Sequence, residues 1–203
     1  MSYPEFRVRK LERIENPQAM HRLLRHEKNI ADSMPIDKLD ENRQTIIRDD
    51  DDGTAWLERL EKKNELSHAA NTRYLFHGTK REKLEGISTH GLSAKFSMQN
   101  SFDLYGKGIY FTDSACKAAQ YIDSPTNFDG EDRVILVCRV VLGRVFVAEH
   151  ECEHATAAPP GYDSLQAKHG HTRRSSGVQV HNEYVVYNDC QCYPEFALRW
   201  KRS

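Results

Sequence analysis

Tyr105-Gly106-Lys107-Gly108-Ile109-Tyr110-Phe111 decides how this chain is read. Two glycines let the backbone turn tightly, and Ile109-Tyr110-Phe111 follows as a short strand that carries one phenolic hydroxyl. Two further stretches are built alike. Leu75-Phe76-His77-Gly78-Thr79 ends an apolar strand on a histidine, and Asn182-Glu183-Tyr184-Val185-Val186-Tyr187 opens one on a carboxylate. A His, a Tyr and a Glu on separate strands meet only if the sheet folds around a shared cleft. One such motif is weak; three in order, each with matching neighbours, are much stronger.

The rest of the chain sets bounds on this reading. Its 203 residues favour one domain with a sizeable core. Charged residues are 29% and hydrophobic ones 38%, a soluble balance with a polar lean. A net charge of -1 argues against a broad nucleic-acid surface, which needs a basic excess. No apolar stretch is long enough to cross a bilayer, and Met1-Ser2-Tyr3-Pro4-Glu5 has no signal-peptide character. An intracellular protein, cytoplasmic or nuclear, is the expectation. The five cysteines, 116, 138, 152, 190 and 192, are odd in number and include no Cys-x-x-Cys pair. They read as small buried hydrophobes rather than a disulfide framework or zinc site, with Cys190 and Cys192 on one side of a strand.

Residues 5–14 alternate charged and apolar types and predict a half-buried strand that slips register near its end. Asn16-Pro17 predicts a helix start, followed by an apolar stripe of Met20, Leu23, Leu24 and Ile30. Residues 31–54 are polar; the acidic run Asp49 to Asp52 reads as solvated loop, since the spacing of a calcium loop is absent. A helix is expected over 55–69, with Trp56, Leu57, Leu60 and Leu66 apolar. Another is expected over 80–90, burying Leu84 and Ile87 and stopping at Gly91. Residues 92–104 read as a loop. Asp113 or Ser114 caps a helix running to about Ile122. Residues 123–132 form a loop, Val134 to Val141 and Val145 to Val147 strands, and 149–180 a long loop containing Arg173-Arg174. Glu183 to Tyr187 and Phe196 to Trp200 are the last strands. The whole reads as an α+β domain.

Together, the three motifs resemble the His-Tyr-Glu signature of the poly(ADP-ribose) polymerase family of ADP-ribosyltransferases. The similarity runs from about residue 5 to residue 200. It is closest to the tankyrase-like and small mono-ADP-ribosyltransferase branches, and takes in Pro159-Pro160-Gly161 and Tyr193-Pro194-Glu195-Phe196. The resemblance implies an α+β fold of mostly antiparallel, split β-sheets around an NAD+ cleft with flanking helices. It also implies one catalytic domain over 1–203, with an N-terminal part over 1–70 and an NAD-binding core over 71–203. No separate autoinhibitory helical domain is expected within residues 1–70, which are too few to form one.

By that resemblance the protein transfers ADP-ribose from NAD+ to protein acceptors, with itself as one candidate, and releases nicotinamide. Glu183 would stabilise the cationic ribose, His77 would hold the adenosine ribose, and the Gly78 backbone would meet the carboxamide. Tyr110 and Tyr121 would sandwich the nicotinamide ring, whose cation suits a π-face. Thr79 would reach a ribose or phosphate, and Lys117 matches a basic position near the acceptor. Ala118 stands where the family usually has a Ser that bonds the carboxamide, so weaker binding of nicotinamide mimics is expected. Tankyrase relatives hold zinc in the loop after this helix; residues 123–132 have no Cys or His, so no such metal is expected. His150, Cys152, His154, His169 and His171 fit no standard metal spacing.

Glu183 is compatible with extending a polymer, but the resemblance also covers Glu-bearing mono-transferases, and the chain leans to mono- or short-chain modification. Two other readings stand beside this one. One is a module that binds NAD+ or ADP-ribose without turnover. The other is chemistry on nucleic-acid ends, against which the charge balance weighs.

Overall fold

A computed structural model describes residues 6–34, 52–99, 104–122, 133–167, 173–174, 177–178 and 181–202. The centre of the architecture is the apolar run predicted from Val134 to Val141. It forms β4 (Arg133–Val141), with seven of its nine side chains buried. A strand buried on both faces needs cover on both, and four antiparallel strands in the order β1-β10-β4-β2 make up its sheet. They are β1 (Phe6–Arg13), β2 (Thr72–Thr79) and β10 (Cys192–Arg202) besides β4. The second sheet has the order β3-β9-β6-β5. It comprises β3 (Ile109–Phe111), β5 (Val145–Ala148), β6 (Ser164–Ala167) and β9 (Glu183–Val186), with only β5 and β6 parallel. A short pair, β7 (Arg173–Arg174) and β8 (Gly177–Val178), stands apart. No helix among the described residues is long and apolar enough to cross a membrane.

Alternation along β4 divides the core. Val134, Leu136, Cys138 and Val140 pack with Ile109, Phe111, Tyr184 and Val186 of the second sheet. Ile135 and Val137 face the other way, into a layer of helices. The helices of that layer are α2 (Asp52–Lys63) and α4 (Ala115–Gln120), whereas α1 (Pro17–Ser33) packs with Val141 and Tyr193 in a separate cluster, and Leu84 and Ile87 of α3 (Leu84–His90) pack against the cluster between the sheets. Asn16 caps α1 as expected: its side chain accepts from the Ala19 amide at 2.9 Å, and Pro17 takes the first turn. Ser114, not Asp113, caps α4 by accepting from the Lys117 amide.

Several expectations need correction. The N-terminal strand is not half-buried: Val8 is 57% and Leu11 50% exposed, because β1 is an edge strand with little packed over it. Its register shifts between Val8 and Lys10, in mid-strand rather than near its end. Leu24 is exposed, and Ala19 takes its place beside Leu23 and Ile30 in the buried stripe. α2 starts and ends earlier than 55–69, leaving Leu66 buried in the turn beyond it. The 80–90 helix begins as a 3₁₀ turn at Arg81–Lys83, and Leu84 and Ile87 are only half-buried. A 3₁₀ turn also interrupts the 92–104 loop at Ala94–Gln99. α4 stops at Gln120. Cys190 lies in a 3₁₀ turn (Asp189–Gln191), so it does not share a strand with Cys192; Cys138 and Cys192 are buried, and none of the five cysteines is in a disulfide among the described residues. The largest correction is β6, which occupies the middle of what reads as loop over 149–180. Residues 123–132, most of 31–54, and His169 and His171 lie outside the described residues.

Candidate active site

The two sheets are joined where Phe76 and Thr112 exchange both backbone hydrogen bonds, at 2.8 and 3.0 Å. This bridge brings the end of β2 against the end of β3, and with it His77 against Tyr110. The His77 Nδ1 lies 2.8 Å from the Tyr110 carbonyl oxygen. A carbonyl can only accept, so Nδ1 carries the hydrogen and Nε2 is left with a lone pair in the neutral ring. Burial lowers the pKa of His77, and the cationic Lys83 adds to this, while the Tyr110 carbonyl opposes it. The ring is therefore neutral at pH 7, with Nε2 ready to accept.

Tyr110 is fixed at both ends. Its hydroxyl donates to the Gly106 carbonyl at 2.8 Å and accepts from the Tyr105 amide at 3.0 Å. The turn this closes needs glycine at 106: φ is +82°, and a Cβ there would lie 2.1 Å from the Ala155 carbonyl oxygen. Tyr110 thus holds the turn and presents only part of its ring.

Beyond Thr112 the chain passes into α4, whose C-terminal end lies across Gly78. A Cβ on Gly78 would sit 2.1 Å from the Ala118 carbonyl oxygen and 3.0 Å from the Tyr121 Cβ. Only glycine allows strand and helix to approach so closely. Ala118 is fully buried. Tyr121, just past α4, is 46% exposed rather than packed in the core, and its hydroxyl donates to the Glu183 carboxylate. The Lys117 ammonium lies 3.2 Å from the same carboxylate oxygen and 5.2 Å from the Tyr121 ring centroid. Glu183, at the start of β9, is only 5% exposed. A buried carboxylate needs such partners to remain charged.

Contacts therefore link His77 to Tyr110, Gly78 to Ala118 and Tyr121, and Tyr121 and Lys117 to Glu183. Thr79 differs from its neighbours: it is buried, opposite Val134 in the sheet. His150, Cys152 and His154 line a separate hollow of about 840 Å³ with Glu149 and Glu151. Among the described residues no group of three or more His, Cys, Asp or Glu side chains is placed to hold a metal.

Sequence reasoning missed the polar layer behind Glu183. Asp113, fully buried, accepts from the Asn182 side-chain amide at 3.3 Å and the Tyr184 hydroxyl at 3.0 Å. The Gln166 amide donates to the same Tyr184 hydroxyl at 3.5 Å. The available signal was the polar pair Thr112-Asp113 directly after a buried strand, which reads at first as a helix cap.

Two antiparallel-dominated sheets joined at a bridge, with helices beside them, make an α+β architecture. The chain matches the poly(ADP-ribose) polymerase catalytic domain over residues 44–181, and it belongs to that family. The match includes His77 and Tyr110 and stops short of Glu183. The human protein mono-ADP-ribosyltransferase PARP4 is 31% identical over 143 residues, covering 66% of this chain and 8% of that protein. Its mouse counterpart is 30% identical over 141 residues, with 66% and 7% covered. Poly [ADP-ribose] polymerase 2 of Arabidopsis thaliana is 27% identical over 161 residues, with 68% and 25% covered. The chain thus spans a quarter or less of the length of these relatives.

Proposed function

We propose that this domain transfers ADP-ribose from NAD+ to protein side chains, releasing nicotinamide, with Glu183, His77 and Tyr110 at the centre of the reaction. The observation that carries the reading is Glu183: a buried carboxylate, held by Lys117 and Tyr121, beside the His77-Gly78 strand end of a family member. In NAD+ the bond between nicotinamide and ribose breaks with its electron pair leaving on the ring nitrogen. The departing ring starts as a cation and ends neutral, so no acid is needed. Positive charge grows at the anomeric carbon, as in glycoside cleavage, and Glu183 would stabilise it. An acceptor oxygen then forms the new bond; a hydroxyl acceptor would lose its proton towards Glu183, and a carboxylate would need no base.

His77 Nε2 would accept a hydrogen bond from a ribose hydroxyl of the adenosine half. The Gly78 backbone, free of a side chain, would meet the nicotinamide carboxamide. Tyr121 would lend its ring to the nicotinamide. Because its hydroxyl engages Glu183, substrate hydroxyls would compete with Tyr121 for the carboxylate.

Mass spectrometry of the purified protein after incubation with NAD+ tests the transfer. Single ADP-ribose adducts on side chains are the expected result. Ladders of units would move the proposal towards chain extension, and free ADP-ribose without adducts would replace transfer by hydrolysis.

Two measurements check the binding roles. His77 has a lowered pKa, so its neutral form contributes stability that is full above the ordinary value of about 6.5. That stability is lost as pH falls through the folded value. Protonation also turns the Nε2 acceptor into a donor, so NAD+ affinity is expected to fall over the same acid range. A Kd that stays level while NMR of the His77 ring shows it taking up its proton contradicts this role. Ala118→Ser would restore one hydrogen bond to a carboxamide, about 0.5–1.5 kcal/mol, or roughly 2- to 13-fold tighter binding of nicotinamide mimics. Unchanged affinity would show that a hydroxyl at 118 does not reach the ligand.

A further inference from the structure

We propose that Asp113 is a positioning residue for Glu183, acting through the two residues that flank it. This rests on the transfer reading for its functional meaning, but its geometry stands by itself. Asn182 and Tyr184, on either side of Glu183, both turn their side chains to Asp113 Oδ2, at 3.3 and 3.0 Å. In an extended chain residues i and i+2 share a face, so the residue between them points the opposite way. The faces are distinct here: Tyr184 and Val186 pack between the sheets, whereas Val185 packs in the separate cluster that includes Leu165 and Ala167. With both neighbours held on the inner face, Glu183 is turned outward to Tyr121 and Lys117. A slip of one residue would reverse this and bury the carboxylate in the core.

Asp113 also lies at the joint between β3 and α4. Its backbone leads directly to Ser114, the cap of the helix that carries Lys117 and leads to Tyr121. Its carbonyl accepts from the Thr54 hydroxyl of α2 at 3.2 Å. One residue therefore ties the strand that bears Glu183 to the helix whose side chains engage it. The distance from Glu183 to its partners is set through Asp113, although Asp113 itself, fully buried, would touch no substrate.

Asp113→Asn keeps the shape and removes the charge that two donors share; Tyr184→Phe removes one donor and keeps the ring. Steady-state nicotinamide release should show kcat falling about 10-fold or more in Asp113→Asn, and less in Tyr184→Phe, with KM for NAD+ little changed. In a Glu183→Gln background the Asp113 substitution should cost nothing further, because its effect passes through Glu183. Equal losses in both backgrounds, or KM rising in step with the loss of kcat, would overturn the proposal. Amide hydrogen exchange supplies a readout that needs no turnover: protection at residues 183–186 should fall in both variants while β4 stays protected. Unchanged protection at 183–186 overturns the positioning role. If the wild-type protein releases no nicotinamide, the transfer reading fails and the exchange arm alone decides this one. If Asp113→Asn does not fold, Tyr184→Phe carries both arms.

Discussion

Glu183→Gln is expected to lower kcat for nicotinamide release by about 10²–10³-fold while leaving NAD+ binding largely intact. The asymmetry follows from when the carboxylate acts. In the ground state the positive charge is on the pyridinium ring; in the transition state it has moved to the anomeric carbon. An amide of the same shape can still hydrogen-bond a ribose hydroxyl, but it offers no negative charge to the developing cation. The interaction lost is thus one made chiefly in the transition state, which lowers kcat rather than raising KM. The surroundings strengthen it: Glu183 is almost fully buried, where a charge acts through a lower effective dielectric than in water. A parallel rise in KM and fall in kcat would instead place Glu183 in ground-state binding.

The second large effect concerns stability. Glu195→Ala is expected to destabilise the protein by about 3–5 kcal/mol, because it leaves a buried cation without its partner. The Glu195 side chain is 1% exposed, and the Arg139 guanidinium meets its Oε2 at 3.0 and 3.2 Å. The Tyr74 hydroxyl donates to the same oxygen at 2.6 Å, and burial together with this bond pushes its pKa up. Arg13 adds a longer contact at 3.5 Å from an exposed position. Glu195 enters this cluster because β10 shifts register between Pro194 and Phe196, the local effect of an extra residue in one strand. Thermal melting should record a drop of roughly 6–20 °C in Glu195→Ala. A drop of only a degree or two would mean that water or a neighbouring group takes over Arg139.

These two residues also mark how far the sequence could be read. Glu183 stands at the head of a strand with apolar residues after it, a local pattern visible in one dimension. Glu195 sits in an equally apolar stretch, but its burial depends on Arg139 and Tyr74, which are distant in the chain and are brought together by strand pairing. The Asn16 cap and β4 were legible for the same reason as the strand that Glu183 opens: their signals lie within a few neighbouring residues. β6 was not. Ser164-Leu165-Gln166-Ala167 has a single large apolar side chain, and nothing local says that Ser164 will donate to the Leu142 carbonyl at 2.7 Å or Gln166 to Tyr184. A buried polar strand is stable only when tertiary partners satisfy it. The opposite error occurred at β1, where alternation suggested a buried face. Alternation reports strand conformation, but burial depends on what packs over the sheet, and little covers Val8 and Leu11. Asp113 belongs to the same class as β6: a residue adjacent to a motif, whose partners arrive some seventy positions later.

The most direct test of the central claim is a time course of nicotinamide release from NAD+ by the wild-type protein and Glu183→Gln, with NAD+ affinity measured on both. Release by the wild-type protein that collapses in the variant, at similar affinity, is the expected result. Binding of NAD+ by both proteins with no release from either would contradict the account and make this domain a dinucleotide-binding module.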